Sequence, residues 1–510
     1  MVEYDKLDEK LLNAFGPKSG CIVRKDISRN LKEVSRAPNA VIEYLLGAKS
    51  AKFGASKAQE VLQEVEEILA RRLPGPDEGK KIESRIEKNG KGKIIDKISA
   101  TFNVGKGIYT GKLANSGIGN LEGDKPIYIP KEFAHEYEKI LSGGLWAKIE
   151  LGYDTNNQVE GKSYPLYLRD LQPIQLSHFN REEIISKRKE FSVDEWLDIL
   201  IRSIGFEPTS EKIDRRQKLF YISRLIPLVE ENFNLLELGQ KETGKSFAYR
   251  ELSPYETLVS GTNITEARLF KNLNTGDPGL VALWDAVTFS EVKGLEFQSG
   301  QVIHMLKDYM QAGKVNRGGE PITGSCSLIF TGNIERNVRS LLNQGKTLFK
   351  PLPEKMKDPA LLDRIHFYLP GWEVDKITSN RLTDHFGLSV DYFSEFLRAF
   401  RGNVPHMPEH NNYYEWTEPD KLKSRDEKAV RNTVSGFLKL LHPHGQVGAE
   451  TVENYLRWAI EMRTRVVNQL CRMDDEYCGR QFTYCCPPDG PEKSVSVPEK
   501  IEESVEAKNH

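Results

Sequence analysis

The spacing of apolar residues changes along the chain, and each change predicts a different kind of element. Residues 1–72 read as helical. "PNAVIEYLLGA" opens at Pro38 and stops at Gly47, and "SKAQEVLQEVEEILARR" repeats its apolar positions at helical spacing. "LPGPDEGKK" breaks that pattern and predicts a linker. From about residue 91 to 176 the period falls to two, in "KIIDKISATFNV", "GIYTGKLA", "KPIYIP", "LWAKIELGY" and "SYPLYLRDLQPIQL". About five short strands separated by Gly and Asn turns predict a small β-barrel of the oligonucleotide-binding (OB) kind. Residues 180–400 alternate strand and helix patterns, and "SVDEWLDILIRSIG" opens with Ser192 and Glu195 at capping-box spacing. A polar stretch at 402–428 leads into two helical runs, "DEKAVRNTVSGFLKLL" and "AETVENYLRWAIEMRTRVVNQL". The expected division is a helical subdomain at 1–78, an OB-like β-rich DNA-binding domain at 79–180, an α/β core at 190–400, a helical lid at 401–480 and a charged tail at 481–510, disordered after "CCPPDG".

At 510 residues the chain is long enough for several domains, each with its own core. Its 72 basic side chains nearly balance 74 acidic ones, so any nucleic-acid surface must be a local patch. Lys88, Lys91, Lys93 and Lys97, around the first barrel strand, are candidates for phosphate contact; a solvated strand face is as good a reading for any one of them. No run approaches the ~20 apolar residues of a membrane span, and the polar start "MVEYDKLDEK" is not a signal peptide. Six cysteines without secretory context predict reduced thiols in a cytoplasmic protein. Cys471, Cys478, Cys485 and Cys486 cluster but lack a C-x₂-C knuckle, so scattered thiols are a better reading than zinc.

The most specific chemical signal is "NLLELGQKETGKSFAYREL". An apolar strand runs into Gly239–Ser246, which fits G-x-x-x-x-G-K-[ST], and then into a helix. Main-chain N–H groups of such a loop surround a β-phosphate at a helix N-terminus, which makes Gly239, Gln240, Lys241, Glu242, Thr243, Gly244 and Phe247 candidate nucleotide contacts. Lys245 would reach the β/γ-oxygens and Ser246 would ligate Mg²⁺, so ATP and Mg²⁺ are the expected cofactors.

A second strand must end in an acidic pair. Within "GLVALWDAVTFSEVKGLEF" it ends either at Asp285 or, through "AVTF", at Ser290-Glu291. In the second case Glu291 is the catalytic base, and Ser290 meets Mg²⁺ through water where an aspartate is expected. Further on, a Gly-rich basic turn precedes a buried strand ending at Asn333, placed to orient the attacking water. "DPALLDRIHFYLPGWE" sets Arg364 after a short apolar helix. It is either an arginine finger on a neighbouring subunit or the partner of Asp363 or Asp358. Arg431, at the start of the lid helix, is either a second sensor of the same nucleotide or a solvated helical arginine.

With these motifs in order the chain resembles the AAA+ ATPases, and closely the Lon-related BrxL family of BREX phage-defence systems. The shared segments include "VRKDI", "VIEYLLGA", "GKIIDKIS", "RLIPLVEENFNLLELG", "ELSPYETLVSG", "GLVALWD", "KDYMQAG", "LFKPLP", "LLDRIHFYLPGWE" and "TVSGFLKLLHP", across nearly residues 10–500. The resemblance implies an α/β AAA+ P-loop core with a helical lid, preceded by a helical and an OB-like region. The MCM replicative helicases, which the core also resembles, have that order. It further implies a homo-hexameric ring, single or stacked in pairs, on double-stranded DNA, acting with other BREX defence proteins. In that comparison "QAGKVNRGGE" is a pore hairpin with Lys314 and Arg317 as DNA contacts.

There are two departures. Ser290 replaces the aspartate usual in the family, which implies a slow ATPase. Only 20 residues follow Gly490, too few for the Lon-type protease domain common in the family. The expected activity is therefore ATP-driven movement along duplex DNA, or closure around it, without proteolysis. The alternatives are a nucleotide-binding DNA ring with little hydrolysis and an unfoldase ring serving a separate protease.

Overall fold

The computed structural model describes residues 4–497 except 17–19, 35–36, 54–57, 76, 104, 120–125, 138–140, 142–143, 175–178, 211–212, 251, 262, 275, 277, 335–336 and 379–380. Of 33–34, 48–53, 58–59, 246 and 250 it describes the backbone. The chain divides into two units, Met1–Asn180 with Asp384–Glu395, and Arg181–Thr383 with Phe396–His510.

In the first unit the period-two segments form five strands: Lys91–Asn103, Ile108–Leu113, Ile127–Ile129, Leu145–Tyr153 and Leu166–Pro173. They close into a barrel in the order 1-2-3-5-4. The first strand pairs with the fourth, Ile94 opposite Ile149, and closure removes the sheet edges. Ile94, Ile98, Leu113, Ile127, Ile149 and Leu168 fill the interior. Asp96 is buried too, and its carboxylate accepts the N–H groups of Asn115 and Ser116 at 2.8 Å each, which compensates the charge.

Helices Lys6–Phe15, Lys25–Val34, Asn39–Phe53 and Ala58–Arg72 precede the barrel, and Leu31, Val41, Ile42, Leu45 and Val65 pack together among them. Strand Ile22–Arg24 pairs antiparallel with Phe386–Leu388. This corrects the expected extent of the core, because 384–395 belongs to the first unit. Such short strands leave too little periodicity to read. Lys25 and Glu43 hold the joint. The ammonium donates to Glu43 at 3.0 Å and to the Leu388 carbonyl at 2.8 Å, and the Val390 N–H donates to Glu43 at 2.7 Å.

The second unit is built on an all-parallel sheet. Strands Asn234–Gly239, Glu256–Ser260, Ala286–Ser290, Ser327–Asn333 and Phe367–Gly371 lie in the order 2-3-4-1-5. Every residue of the first strand is buried, which is why it reads as an apolar run and not as alternation. Helix Val193–Ser203 starts at the capping box Ser192–Glu195. Helices Ser424–Leu441 and Ala449–Cys471 pack along each other, with Phe437 stacked on Tyr455 at 5.2 Å.

After these helices, Thr483–Cys485 and Glu492–Ser494 join Glu415–Trp416 in a three-stranded sheet. The disorder expected from Pro491 is therefore corrected for 492–494, and 498–510 lie outside the described residues. The turn at Asp475–Tyr477 brings the Cα atoms of Cys471 and Cys478 to 4.7 Å, and the two form a disulfide. Cys485 and Cys486 are free. This corrects the expectation of six reduced thiols, and the four sulfurs form no metal cluster among the described residues. No described helix is long and apolar enough to cross a membrane.

A fully buried ion pair lies at the base of the nucleotide loop. Arg224 donates to Glu237 at 2.7 and 3.1 Å, with both side chains 0% exposed. Burial works to lower the guanidinium pKa, but the Glu237 charge leaves it raised. Glu237→Ala leaves that cation uncompensated, and the expected loss of stability is about 3–5 kcal/mol. Chemical denaturation should show it as a lowered midpoint, with Glu237→Gln falling between the variant and the parent.

Candidate nucleotide site and adjoining hairpin

Parallel strands put their C-terminal ends on one edge of the sheet. The first strand lies between the fourth and fifth, where the strand order reverses. The phosphate loop leaves from that point. Gly239 has no room for a side chain, since a Cβ would lie 2.2 Å from the Gly371 backbone. Glu242 and Gly244 take left-handed backbone angles, φ 67° and 78°, and curl the loop back before helix Lys245–Arg250. Arg224 anchors the loop through the Thr243 carbonyl at 3.0 Å.

Lys245 is buried, and its ammonium donates to the Gln240 carbonyl and, at 3.3 Å, to Thr243 Oγ1. Burial lowers its pKa, Glu237 opposes this, and Arg224 reinforces it. The ammonium rests on groups that a phosphate can replace. Gln240 and Lys241 are exposed on the loop. Ser246 lies in the helix, but its side chain is outside the described residues. Phe247 is 40% exposed and meets Phe206 edge-on at 5.9 Å.

Of the two endings left open for the third strand, the chain takes the second, Ala286–Ser290. Asp285 precedes the strand at the far edge, where its carbonyl accepts the Ser327 N–H at 2.9 Å. Ser290 is buried, and Glu291 follows with an exposed side chain and a left-handed backbone, φ 53°. Asn333 ends the fourth strand in register with Gly239. The loop, Glu291 and Asn333 therefore share one sheet edge.

Arg364 and Arg431 do not join them. The fifth strand begins at Phe367, level with Leu235, so Arg364 lies at the far edge. A strand of this length separates the two edges by roughly 15–20 Å. The Arg364 guanidinium donates to the Ala360 carbonyl. Its two alternative carboxylates are engaged elsewhere. Asp358 pairs with Lys307 at 2.8 Å, and Asp363 pairs with Arg425, Arg463 and Arg480 at 2.8 Å each.

Arg431 is exposed, and its helix neighbours Lys428 and Ser435 bond Gln311 and Glu230. Those contacts also belong to the far edge, where the Met310 carbonyl accepts the Asn234 amide at 3.2 Å. The helix that carries Arg431 thus has these contacts at the end of the sheet opposite the loop.

Strands Lys314–Arg317 and Glu320–Thr323 form a hairpin after helix Gly300–Ala312. Gly318 and Gly319 have φ 61° and 80°, as a two-residue turn matched to the strand twist requires. Lys314 is exposed. Arg317 is only 14% exposed and lies 3.5 Å from Glu266. On the barrel, Lys91 and Lys93 are exposed, with Lys93 3.2 Å from Glu150. Sequence reading missed Arg224 and Glu237. Their signal is a single charge inside the apolar runs "YISRLIPLV" and "NLLELG", where full solvation is excluded.

The parallel sheet, the phosphate loop after its first strand, and an acidic and an amide residue on the same edge fit an AAA+ ATPase core. Residues 166–483 match the family described as "Lon-like protease BrxL-like, ATPase domain". Residues 18–153 match "BREX system Lon protease-like protein BrxL N-terminal". The chain belongs to the BrxL family. It is 40% identical over 499 residues to the Lon-like protease BrxL of Escherichia coli O9:H4 (strain HS), covering 98% of this chain and 69% of that one. It is 39% identical over 484 residues to the Lon-like protease BrxL of Bacillus cereus (strain H3081.97), covering 94% and 70%. A solved full-length MCM homolog from Methanopyrus kandleri superposes with a TM-score of 0.44 at 13% identity, over 74% of this chain and 78% of that one.

Asp363 gives the far edge a pH signature. Burial alone would raise its pKa, but Arg463, Arg480 and Arg425 outweigh this and hold it at about 2. A depressed carboxylate stabilises the fold above its unfolded pKa, about 3.9, and that stability is lost as pH falls through the folded value. Between about pH 4 and pH 2 the parent should therefore lose about 2 kcal/mol that Asp363→Asn does not lose. Denaturation midpoints measured across that range would show the variant with a flatter acid limb and lower stability at neutral pH.

Proposed function

We propose that this chain is an ATP-dependent, DNA-binding AAA+ ring protein of a BREX-type anti-phage defence system, an MCM-like motor or clamp on duplex DNA. The convergence of Lys245, Glu291 and Asn333 on one sheet edge carries this reading. The loop N–H groups and Lys245 hold the β/γ-phosphates, and Phe247 borders the base. Glu291 takes a proton from the attacking water, which Asn333 orients. Mg²⁺ would be held by Ser246 and, through water, by Ser290, and would neutralise phosphate charge. The neutral Ser290 hydroxyl holds a hydrated ion less firmly than a carboxylate would, so turnover is slow and needs more Mg²⁺.

Arg364 lies at the far edge from its own loop, so any phosphate it meets belongs to another subunit of a homo-hexamer, single or stacked. Lys314 and Arg317 on the hairpin, with Lys91 and Lys93 on the barrel, face DNA phosphates. The ring works in the cytoplasm with other BREX proteins. A second reading, a DNA ring that binds ATP but hydrolyses little, is favoured by the same Ser290.

Steady-state ATPase measured with and without duplex DNA separates the two. Lys245→Ala should lose ATP binding, and normal affinity in that variant would refute the site. Ser290→Asp should raise turnover and lower the Mg²⁺ needed for half-maximal rate. Hydrolysis that stays negligible in Ser290→Asp, with ATP bound, would favour the second reading.

A further inference from the structure

The two residues flanking the hairpin turn, Arg317 and Glu320, are opposed in register. Each is held by the opposite charge from one short segment: Glu266 lies 3.5 Å from Arg317, and Lys271 pairs with Glu320. Lys271 keeps the Glu320 carboxyl below its ordinary pKa. Leu273, next in that segment, reaches within 2.8 Å of where a Cβ on Gly318 would sit. The tip is thus latched at two points with the signs crossed.

The Arg317 half of the latch is the weaker one. Its contact is long for an ion pair, and its Nε is buried with no hydrogen-bond partner among the described residues. Glu266 is shared, accepting from Ser299 Oγ at 2.6 Å. A guanidinium with an unused donor beside a carboxylate that has another partner is poised to exchange to a better acceptor. A phosphate offers the bidentate geometry that Glu266 does not provide here.

Resting on the reading of the hairpin as a DNA contact, we propose that Glu266 is a built-in competitor for Arg317, holding it until a DNA phosphate takes its place. Latched, the turn shows DNA two carboxylates beside the exposed Lys314. Released, it adds a second cation and loses the repulsion of Glu266.

Glu266→Gln removes the charge and keeps an acceptor for Ser299. In the full chain, binding of a short fluorescent DNA duplex of arbitrary sequence should tighten roughly tenfold at low salt. The log–log salt plot should steepen by about one unit, as one more phosphate contact requires. Adding Arg317→Ala to Glu266→Gln should abolish the gain. Unchanged or weaker binding by Glu266→Gln, in a protein whose Lys314→Ala variant does lose affinity, would overturn the latch and leave the hairpin reading standing. No loss in Lys314→Ala would overturn the hairpin reading and the latch with it.

Discussion

One buried guanidinium connects the fold to its site. Arg224 follows helix Arg215–Ser223, reaches Glu237 in the first strand, and reaches the Thr243 carbonyl in the loop beyond it. The three elements that shape the cradle are thereby tied to one group. An isolated buried charge costs several kcal/mol, so the strand cannot shift without unpairing a charge, and a shift of the loop costs the guanidinium a buried hydrogen bond. Tyr249, on the loop's helix, adds its hydroxyl to Glu237 at 3.4 Å. Because Arg224 and Glu237 cancel each other, the floor of the loop is close to neutral. On the proposed reading an incoming phosphate would then meet the field of Lys245 and the loop N–H groups, with little net contribution from below.

Strand direction sorts the candidate residues in a way that motifs alone do not. The C-terminal edge collects the loop, Glu291 and Asn333, while Arg364 and its neighbours gather at the other edge. There Asp363 receives Arg425 from helix Ser424–Leu441, Arg463 from helix Ala449–Cys471, and Arg480 from the segment beyond. Displacing either helix must therefore disturb the pairing of Asp363. This coupling rests on two-sided charge pairing, which has a defined geometry, and not on apolar packing, which can slide.

Much of the architecture was legible because its physics is local. Period-two alternation requires one buried strand face, the Ser192–Glu195 spacing satisfies helix donors, and Gly318-Gly319 permits a turn that strains most other residues. The phosphate loop was legible for the same reason, since its glycines and Lys245 serve backbone geometry and charge within eight positions. What was missed is non-local. The pairing of Ile22–Arg24 with Phe386–Leu388 joins segments more than 350 residues apart, and no pattern in either predicts it. For Arg431, too, the sheet edge that its helix contacts depends on packing, which residue type does not encode. The neighbour of Arg317, Glu266, lies about fifty positions earlier and is invisible to local inspection.

The end of the third strand combines a strained residue with a neutral one. Non-glycine residues in the left-handed region cost about 1–2 kcal/mol, and both Glu242 and Glu291 sit there. Glu242 has a structural use, since its carboxylate meets Lys376 at 3.1 Å and its carbonyl accepts the Ile377 N–H at 2.7 Å. The Glu291 side chain has no hydrogen bond or ion pair among the described residues. Glycine would make the same turn without strain, so the fold gains nothing from a carboxylate there. On the proposed reading the strain is offset by aiming an acceptor at the attacking water. Ser290 presents the reverse case, a buried and unstrained position from which the ion-holding charge is missing. On that reading the strand end keeps a group able to accept a proton and lacks a charge able to hold Mg²⁺. On the same reading the chemical step stays available while the hold on Mg²⁺ is weakened.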